Sequence, residues 1–353
     1  MKDFNKTLDK YGTKIENEIN KFFKKKISES TKYNEFIVKV YNELKKYVLR
    51  KGKRLASCST LLVYKGYKGK IDKKILDVCV GIELYRHSIL IHDDLIDMDD
   101  LRRGGLAFHK IFEDVSDRFG NGTAVFSGNI LYSLSLELIL NSEFDINLKN
   151  GVISLINSDY CNVNESQILD LLFEFKEPDV DEWYQMASKR AASLFRATML
   201  SGAILAEVSE DEIELLKEIA TNIGYSFDIQ DDIIGTFSTD EEYGRPTIGD
   251  IVLGKKPLHI IYALKNAPDM KSRILKEILK NKNPAEDDIE IAKMIIRKYG
   301  LENARDKSKK HAENAIKLIH KTRMNNETKD FFINFINYIT ESLDWYKSNN
   351  PTI

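Results

Sequence analysis

Apolar residues recur at intervals of three and four positions through most of the chain, and this spacing places them on one face of an α-helix. The run that contains Ile75, Val78 and Ile82 is one example. The first proline is Pro178, and the alternating pattern that is typical of strands is scarce. The pattern predicts an all-α protein in which residues 1–353 form a single domain, a bundle of roughly ten or more helices around one apolar interior.

Turn-forming residues predict where these helices break. Each predicted break is short, so none is a candidate linker between domains, and no tandem repeat of fixed period is evident. The breaks are expected at residues 66–72, 119–123, 175–181, 244–250 and 281–288.

Composition narrows the class of protein. With 42% hydrophobic and 31% charged residues the chain can bury a large core, and a net charge of −2 gives no global case for binding nucleic acid. The three cysteines are far apart and predict reduced thiols. The N-terminus has no signal-peptide pattern, and no window of about eighteen apolar residues occurs. We therefore expect a cytoplasmic protein without stable membrane insertion.

The segment HDDLIDMDDLRRG carries five aspartates and then two arginines. On a helix, Asp93 and Asp97 are four positions apart and Asp94 and Asp97 three apart, so all three can present oxygens on one face. Carboxylates as close together as these repel one another, and burial raises their pKa values. A hard divalent cation relieves both effects, and Mg²⁺ prefers a few carboxylates together with phosphate oxygens and water.

A second cluster, FDIQDDIIG, offers Asp228, Asp231 and Asp232 at the same spacings. Two such faces in a helix bundle can hold several Mg²⁺ ions and grip a diphosphate, for which Arg102 and Arg103 supply bidentate donors. The alternative is that the aspartates only cap a helix or form a solvated acidic patch. Both clusters and the arginine pair occur together, which favours the diphosphate site over this alternative.

The segment RKGKRLAS is a candidate for a second anion site. Its Gly52 lets the backbone approach an anion closely, and Lys53 and Arg54 beside it add positive charge, although short basic runs often lie on an ordinary surface. His87 lies six residues before the first cluster. A single histidine on a helix is more often structural than a ligand.

Four segments together resemble a known family. GKR, ELYRHSILIHDDLIDMDDLRRGG, FDIQDDIIG and DIVLGKKPL occur in the order and at about the spacing found in the trans-isoprenyl diphosphate synthases of the polyprenyl synthetase family. The resemblance covers roughly residues 45–265. It implies the all-α isoprenoid synthase fold, in which the helices surround a central cavity, usually in a homodimer. It also implies a reaction in which Mg²⁺ helps to join isopentenyl diphosphate to an allylic diphosphate.

The resemblance also implies roles for single residues. The metal ligands would be Asp93, Asp94, Asp97, Asp231 and Asp232. The residues that act in catalysis would be Asp93, Asp94 and Lys255, and the amino group of Lys255 would reach the leaving diphosphate. Arg102 would bind the allylic diphosphate, and Lys53, His87 and Arg103 would surround isopentenyl diphosphate. Arg54, Arg190, Asp228 and Arg245 complete the predicted substrate-binding set.

Several positions depart from the family's pattern. Ala56 replaces an arginine, and Lys51 with Arg54 is a possible substitute for it. The lysine–threonine pair has become Arg190–Ala191, and another lysine has become Arg245. Asp228 stands where glutamine is usual, while the second motif ends in Gly235 instead of aspartate. We hypothesise that Asp228 restores the third carboxylate; drift in a less active copy is the alternative.

These departures keep other functions open. One is a weakly active or non-catalytic subunit that regulates a partner synthase, although a scaffold has no reason to keep repulsive carboxylates. Another is a head-to-head condensing enzyme of the squalene or phytoene type, or a terpene cyclase. The GKR, RRG and GKK segments favour the elongating enzyme.

Product length is expected to depend on side chains that precede the first cluster on its helix. Ser88 and Tyr85 share one face of that helix. The resemblance implies that bulky aromatic residues at positions 88 and 89 would stop growth at farnesyl, whereas Ser88 and Ile89 leave room and Tyr85 is the candidate floor. We expect geranylgeranyl diphosphate or a slightly longer product, unless these are ordinary core residues.

Overall fold

A computed structural model describes residues 2–50, 52–239 and 247–342, and helices dominate all three ranges. This is the all-α class that the hydrophobic spacing predicts. The helices are α1 (Lys2–Ser30), α2 (Glu35–Leu49), α3 (Leu55–Lys68), α4 (Lys73–Ile96), α5 (Asp117–Leu140), α6 (Ile146–Phe175), α7 (Val180–Lys189), α8 (Ala191–Leu205), α9 (Glu210–Phe237), α10 (Gly249–Leu253), α11 (Leu258–Asn266), α12 (Asp269–Lys280), α13 (Glu286–Tyr299), α14 (Leu301–Ile319) and α15 (Asn326–Ser342).

Only one pair of strands occurs within the described ranges. Strands β1 (Leu101–Arg102) and β2 (Gly105–Leu106) are antiparallel, with Leu101 opposite Leu106 and Arg102 opposite Gly105. A 3₁₀ turn at Lys110–Phe112 leads into α5. The hairpin thus connects the aspartate-bearing end of α4 to the next long helix.

The predicted breaks near residues 66–72, 175–181 and 281–288 are confirmed, because each falls between two helices. The break at 119–123 is wrong, since this segment lies inside α5. Ser116 caps that helix by accepting a hydrogen bond from the Phe119 amide (3.2 Å). Gly120 is needed for packing, because a Cβ there would lie 2.4 Å from the His109 carbonyl oxygen. The 244–250 break extends outside the described residues.

The chain divides into two compact units, and the first comprises residues 1–155, 198–213 and 323–331. Within it α4 and α5 pack closely: a Cβ at Gly81 would lie 3.0 Å from the Ser135 carbonyl oxygen. By length and composition alone α5 could cross a membrane. Its contacts with α4 favour the role of a core helix.

The second unit comprises residues 156–197, 214–322 and 332–353. Its core contains Trp183, Ile229 and Leu301, from α7, α9 and α14. Helix α9 crosses the junction of α7 and α8 so closely that a Cβ at Gly224 would lie 2.3 Å from the Ala192 Cα. This close approach places the acidic part of α9 beside the α7–α8 junction.

Candidate active site

The first aspartate cluster lies where α4 ends. Asp97 is the C-cap, and its amide donates to the Asp93 carbonyl (2.8 Å), while the Asp99 amide donates to the Asp94 carbonyl (2.9 Å). Between them Met98 takes a left-handed backbone conformation with φ of 55°. The chain therefore turns back on the end of the helix, and the remaining acids follow α4 instead of extending it.

The hairpin turn explains the sequence RRG. Arg103 and Gly104 occupy its two central positions and both have positive φ, 54° and 73°. A two-residue hairpin turn of type I′ requires positive φ at both positions, and its backbone matches the right-handed twist of the strands. Glycine adopts it readily, whereas Arg103 does so at a cost. The turn sends the side chains of consecutive arginines to different partners.

The three aspartates predicted to share a face differ in their surroundings. The Asp94 side chain is fully buried, whereas that of Asp93 is 27% exposed. Asp94 accepts hydrogen bonds from the Tyr47 hydroxyl (2.6 Å) and from Arg102. Burial raises the pKa of Asp94, and Arg102 opposes that shift. Asp94 is therefore held by its neighbours, and Asp93 is the more accessible carboxylate.

Arg50 organises the hairpin, a role that was not among the sequence predictions. Its guanidinium donates to the carbonyl oxygens of Arg102 (3.2 Å) and Leu106 (2.7 Å) and lies over the Tyr47 ring. A Cβ at Gly105 would lie 2.8 Å from the Arg50 Cζ, so a larger residue there would displace this guanidinium. The only available signal was one more basic residue in the run RKGKR.

A buried carboxylate, Glu83 of α4, organises the predicted second anion site. Its oxygens accept from the Ser57 hydroxyl (2.6 Å) and from Arg54 (3.4 Å). Burial raises the pKa of Glu83, but Arg54, His87 and other donors outweigh it, and the net shift is downward. Arg54 also donates to Glu16 (2.9 Å). Its buried guanidinium is therefore committed to protein partners and does not face solvent as Lys53 does.

His87 and Arg103 lie together beside Gly52. The His87 Nδ1 lies 2.7 Å from the Glu83 carbonyl oxygen, so it carries the proton and leaves Nε2 to accept from Arg103 Nη1 (3.4 Å). Burial lowers the pKa of His87 to about 3 and that of Arg103 to about 10. A Cβ at Gly52 would lie 2.6 Å from Arg103 Nη1, so a side chain at position 52 would push this guanidinium aside.

The second aspartate cluster surrounds an arginine. Arg190, at the C-cap of α7, donates through Nε (3.1 Å) and Nη2 (3.0 Å) to Asp228 Oδ2, and through Nη2 to Asp232 Oδ2 (3.2 Å). Asp170 of α6 lies 3.6 Å from Arg190 Nη1 and 3.3 Å from the Lys255 Nζ. Asp170 thus joins two cations that the sequence assigned to the substrate, and it was not among the predicted residues.

Acidic charge is in excess here. Burial raises the pKa of Asp228 to about 6, and Arg190 opposes the shift. Burial also raises the pKa of Asp232, with the neighbouring Asp228 adding to it. Asp170, Asp228 and Asp232 face only Arg190 and Lys255 among the ion pairs described. Such a site favours the arrival of a cation.

Lys255 and Lys256 follow Gly254, which ends α10 with φ of 77°. Lys256 is buried and donates to the Gly254 carbonyl, and burial lowers its pKa to about 8. The first lysine therefore reaches Asp170 while the second supports the turn. Arg245 lies outside the described residues.

The donor chemistry of both clusters fits Mg²⁺. No three Asp, Glu, His or Cys side chains within residues 2–50, 52–239 and 247–342 are grouped so that they could hold a metal by themselves. Mg²⁺ does not need three, because it commonly takes one or two carboxylates and completes its coordination with phosphate oxygens and water. Among the predicted ligands, Asp93, Asp97 and Asp231 carry carboxylates suited to this role, whereas Asp94 accepts a hydrogen bond from Arg102 and Asp232 accepts one from Arg190.

The residues predicted to set product length lie on α4 and are buried. Tyr85 packs against Tyr132 of α5, with ring centroids 6.3 Å apart. Ser88 donates to the Tyr85 carbonyl (2.7 Å), and Ile89 is buried beside it. This part of the first unit is apolar, as a site for a prenyl chain requires, although the same is true of any core.

Sequence comparisons give relatives of this chain. The profile of the family described as polyprenyl synthetase matches residues 38–296. A short chain isoprenyl diphosphate synthase of Methanocaldococcus jannaschii is 33% identical over 259 residues, which cover 73% of this chain and 76% of that protein. A geranylgeranyl diphosphate synthase of Saccharolobus solfataricus is 28% identical over 325 residues, which cover 87% of this chain and 96% of that protein.

Solved structures share the fold. A geranylgeranyl pyrophosphate synthase from Corynebacterium glutamicum, complexed with isoprenyl diphosphate and magnesium, has a TM-score of 0.88 at 19% identity and covers 96% of this chain and 99% of its own. A geranylgeranyl pyrophosphate synthetase from Pyrococcus horikoshii has a TM-score of 0.82 at 24% identity, with 96% and 98% covered. These likenesses confirm the predicted fold.

Proposed function

The chain belongs to the polyprenyl synthetase family, and from that premise we propose that it is a trans-prenyltransferase that joins isopentenyl diphosphate head-to-tail to an allylic diphosphate. The proposed product is geranylgeranyl diphosphate. The observation that carries the proposal is the end of α4, where Asp93 and Asp94 lie beside Arg102. Carboxylates for a cation and a guanidinium for phosphate oxygens are thus held within one helix turn and hairpin.

The first step is the departure of the allylic diphosphate. When bound, Mg²⁺ supplies Lewis-acid neutralisation of the negative charge that develops on the leaving group. Asp93, Asp94 and Asp97 would hold the cation, and Arg102 would donate to the diphosphate oxygens. Within the second unit, Arg190 and Lys255 are donors suited to phosphate oxygens, and Asp231 and Asp232 are carboxylates suited to a cation. Donors that are already in place lower the barrier because they need no reorganisation.

The bond changes balance without a protein nucleophile. The allylic C–O bond breaks and pyrophosphate keeps the electron pair. The alkene of isopentenyl diphosphate forms the new C–C bond, and a proton then leaves the new cation, with the released pyrophosphate as its proposed acceptor. Apolar side chains around the prenyl chain keep water from the cation. The protein's task is therefore to bind, orient and exclude water.

The second anion site is proposed to bind the diphosphate of isopentenyl diphosphate through Lys53 and Arg103. Arg54 was expected to contact it as well, but its guanidinium is buried between Glu16 and Glu83. We therefore give Arg54 a structural role. His87 supports Arg103 through a neutral Nε2 and does not supply a charge.

For Asp228 the contacts favour a revision of the hypothesis. Both described hydrogen bonds to its Oδ2 come from Arg190. We propose that Asp228 orients Arg190 for diphosphate instead of serving as the third metal carboxylate. The Arg190 guanidinium is planar, and an anionic partner that accepts from two of its nitrogens fixes that plane. A neutral glutamine at position 228 would be a weaker acceptor than the Asp228 carboxylate.

Tyr85 is proposed as the floor that limits chain growth. We expect Tyr85→Ala to lengthen the main product, because it removes the aromatic ring that packs on Tyr132. Chromatography of labelled products measures this directly. Tyr64→Ala is the matched control, since Tyr64 is an equally buried tyrosine on α3. The same product length in Tyr85→Ala and wild type would place the floor elsewhere.

The reaction class is tested by incubating the purified protein with Mg²⁺, labelled isopentenyl diphosphate and, separately, dimethylallyl, geranyl or farnesyl diphosphate. We expect labelled geranylgeranyl diphosphate. A product formed from the allylic diphosphate alone, without label, would indicate head-to-head condensation or cyclisation. No product from any starter with a folded protein would indicate the non-catalytic subunit.

We propose that the protein acts as a cytoplasmic homodimer. In support, α5 carries large apolar side chains that this single chain leaves uncovered, among them Phe126, which is 69% exposed, and the partly exposed Val125 and Leu140. Sedimentation velocity is expected to give twice the chain mass, and Phe126→Glu to reduce it. A wild-type monomer at micromolar concentration would contradict this proposal.

A further inference from the structure

The hydroxyl of Tyr47 makes a contact that the proposed reaction does not yet use. Tyr47, in the last turn of α2, is buried and donates to Asp94 Oδ2 (2.6 Å). Burial raises the pKa of Tyr47, and the adjacent Asp94 carboxylate raises it further. An ionised carboxylate only accepts hydrogen bonds, so in this contact the phenol is the donor.

The ring of Tyr47 is fixed on several sides. It meets the His87 ring edge-to-face at 6.0 Å and the Phe108 ring at 5.8 Å, and the Arg50 guanidinium lies 5.0 Å from its centroid. These contacts hold the hydroxyl in one place independently of Asp94. The carboxylate is thus oriented by a rigid group from another helix.

Arg102 takes the opposite oxygen of Asp94. Its guanidinium donates to Asp94 Oδ1, and it also lies 3.2 Å from Asp99 and 3.6 Å from Asp93. In this arrangement both Asp94 oxygens are occupied, one by a neutral buried phenol and the other by a charged group on a hairpin. A cation that binds Asp94 Oδ1 must compete with Arg102, because Arg102 already donates to that oxygen.

We propose that Tyr47 is a positioning residue that keeps hold of Asp94 Oδ2 while Arg102 gives up Oδ1 and turns to the incoming diphosphate. Asp94 then binds the metal through Oδ1, while Tyr47 keeps the carboxylate in a fixed orientation through Oδ2. Arg102 exchanges one anionic partner for another, and the Asp94 carboxylate exchanges one cation for another, so neither is left unpaired. The inference rests on the proposed function, since it assumes that Mg²⁺ and a diphosphate bind here.

The test uses the full chain, Mg²⁺ and inorganic pyrophosphate, with binding measured by calorimetry in the absence of turnover. Tyr47→Phe keeps the ring and removes only the hydrogen bond. Because Tyr47 holds Oδ2 both before and after binding, what is lost is the ordering of the Asp94 carboxylate, and we expect the apparent Kd for Mg²⁺ with pyrophosphate to rise about 2- to 10-fold. Tyr64→Phe is the matched control, because Tyr64 also donates to an aspartate, Asp72 (3.0 Å), at the far end of α4. It should bind as wild type does.

Arg102→Met gives a result of opposite sign. Without pyrophosphate, removal of the guanidinium frees Asp94 Oδ1, so this variant is expected to bind Mg²⁺ several-fold more tightly than wild type, roughly the effect of one lost neighbouring charge. With pyrophosphate it should bind more weakly, because a phosphate donor is lost. A merely structural role for the network predicts no such reversal.

The outcomes separate the inference from the proposed function. Tyr47→Phe that binds Mg²⁺ and pyrophosphate as wild type does, or Arg102→Met without tighter Mg²⁺ binding, would overturn the inference while the prenyl transfer stands. If Tyr47→Phe does not fold, Arg102→Met still tests the exchange of Arg102 for Mg²⁺ at Asp94 on which the inference depends, and a missing reversal overturns it. A wild-type protein that binds no Mg²⁺ with pyrophosphate would overturn the proposed function and the inference with it.

Discussion

Asp93→Asn is expected to lower kcat by about 100- to 1,000-fold, the usual cost of removing one preorganised electrostatic contact to a developing charge. Asp93 is the accessible carboxylate at the end of α4, and the amide keeps its size while removing the charge that attracts Mg²⁺. Because the Asp93 side chain is partly exposed, the fold should tolerate the change. Steady-state assays over a series of Mg²⁺ concentrations measure the loss.

Asp100→Asn is the matched control for this prediction. Asp100 belongs to the same acidic segment, but its side chain is 67% exposed and lies 3.1 Å from Lys110. It should keep kcat within about twofold of wild type, as expected for a surface charge. Equal losses in both variants would mean that the segment acts only through its overall negative charge. Full activity in Asp93→Asn would remove Asp93 from the metal site.

Arg190→Met is expected to lower the free energy of unfolding by about 3 kcal/mol, in the range observed when one partner of a buried ion pair is removed. The variant leaves Asp228 and Asp232 without the guanidinium that now lies 3.0 and 3.2 Å from them. Activity should fall as well, because a proposed phosphate donor is lost. Urea denaturation followed by circular dichroism measures the stability.

The loss of unfolding free energy in Arg190→Met should depend on pH, and the Asp228 pKa fixes the direction of that dependence. Burial already raises the pKa of Asp228 from 3.8 to about 6, so its protonated form stabilises the fold at low pH, and this contribution is lost as the pH rises through that window. Removing Arg190 raises the pKa further. The deficit of Arg190→Met is therefore largest above pH 6 and shrinks in acid.

Two companion variants complete the second prediction. Arg190→Lys keeps the charge and should retain most of the stability, and Asp228→Asn in the Arg190→Met background should recover part of the loss, since the two residues interact directly. A double variant that merely adds the two single losses would contradict the contact. Normal Mg²⁺ dependence in Asp228→Asn would agree with its role as the partner of Arg190.

Local patterns predicted much of the fold. Helical spacing and turn chemistry placed the ends of α3, α6 and α12, because these depend on residues that are neighbours in sequence. The glycines at 120 and 122 led to the wrong prediction of a break at 119–123. Gly120 lies inside α5, where it allows the helix to approach His109 closely. Glycine alone does not reveal which of these two purposes it has.

The acidic clusters were found from spacing, but their partners were not. Tyr47 meets Asp94 across 47 positions, and Arg190 meets Asp228 across 38, so no local pattern connects them. Arg54 looked like a phosphate ligand from its charge and is enclosed by carboxylates instead. Sequence shows which side chains can carry the chemistry, whereas packing decides which of them faces the substrate.

The central claim is tested most directly by the stoichiometry of pyrophosphate release from the wild-type protein supplied with farnesyl diphosphate, labelled isopentenyl diphosphate and Mg²⁺. We predict that each isopentenyl unit incorporated releases one pyrophosphate, and that both events stop when either Mg²⁺ or isopentenyl diphosphate is withheld. Pyrophosphate release without incorporation of label, or no release from the folded protein, would contradict head-to-tail prenyl transfer.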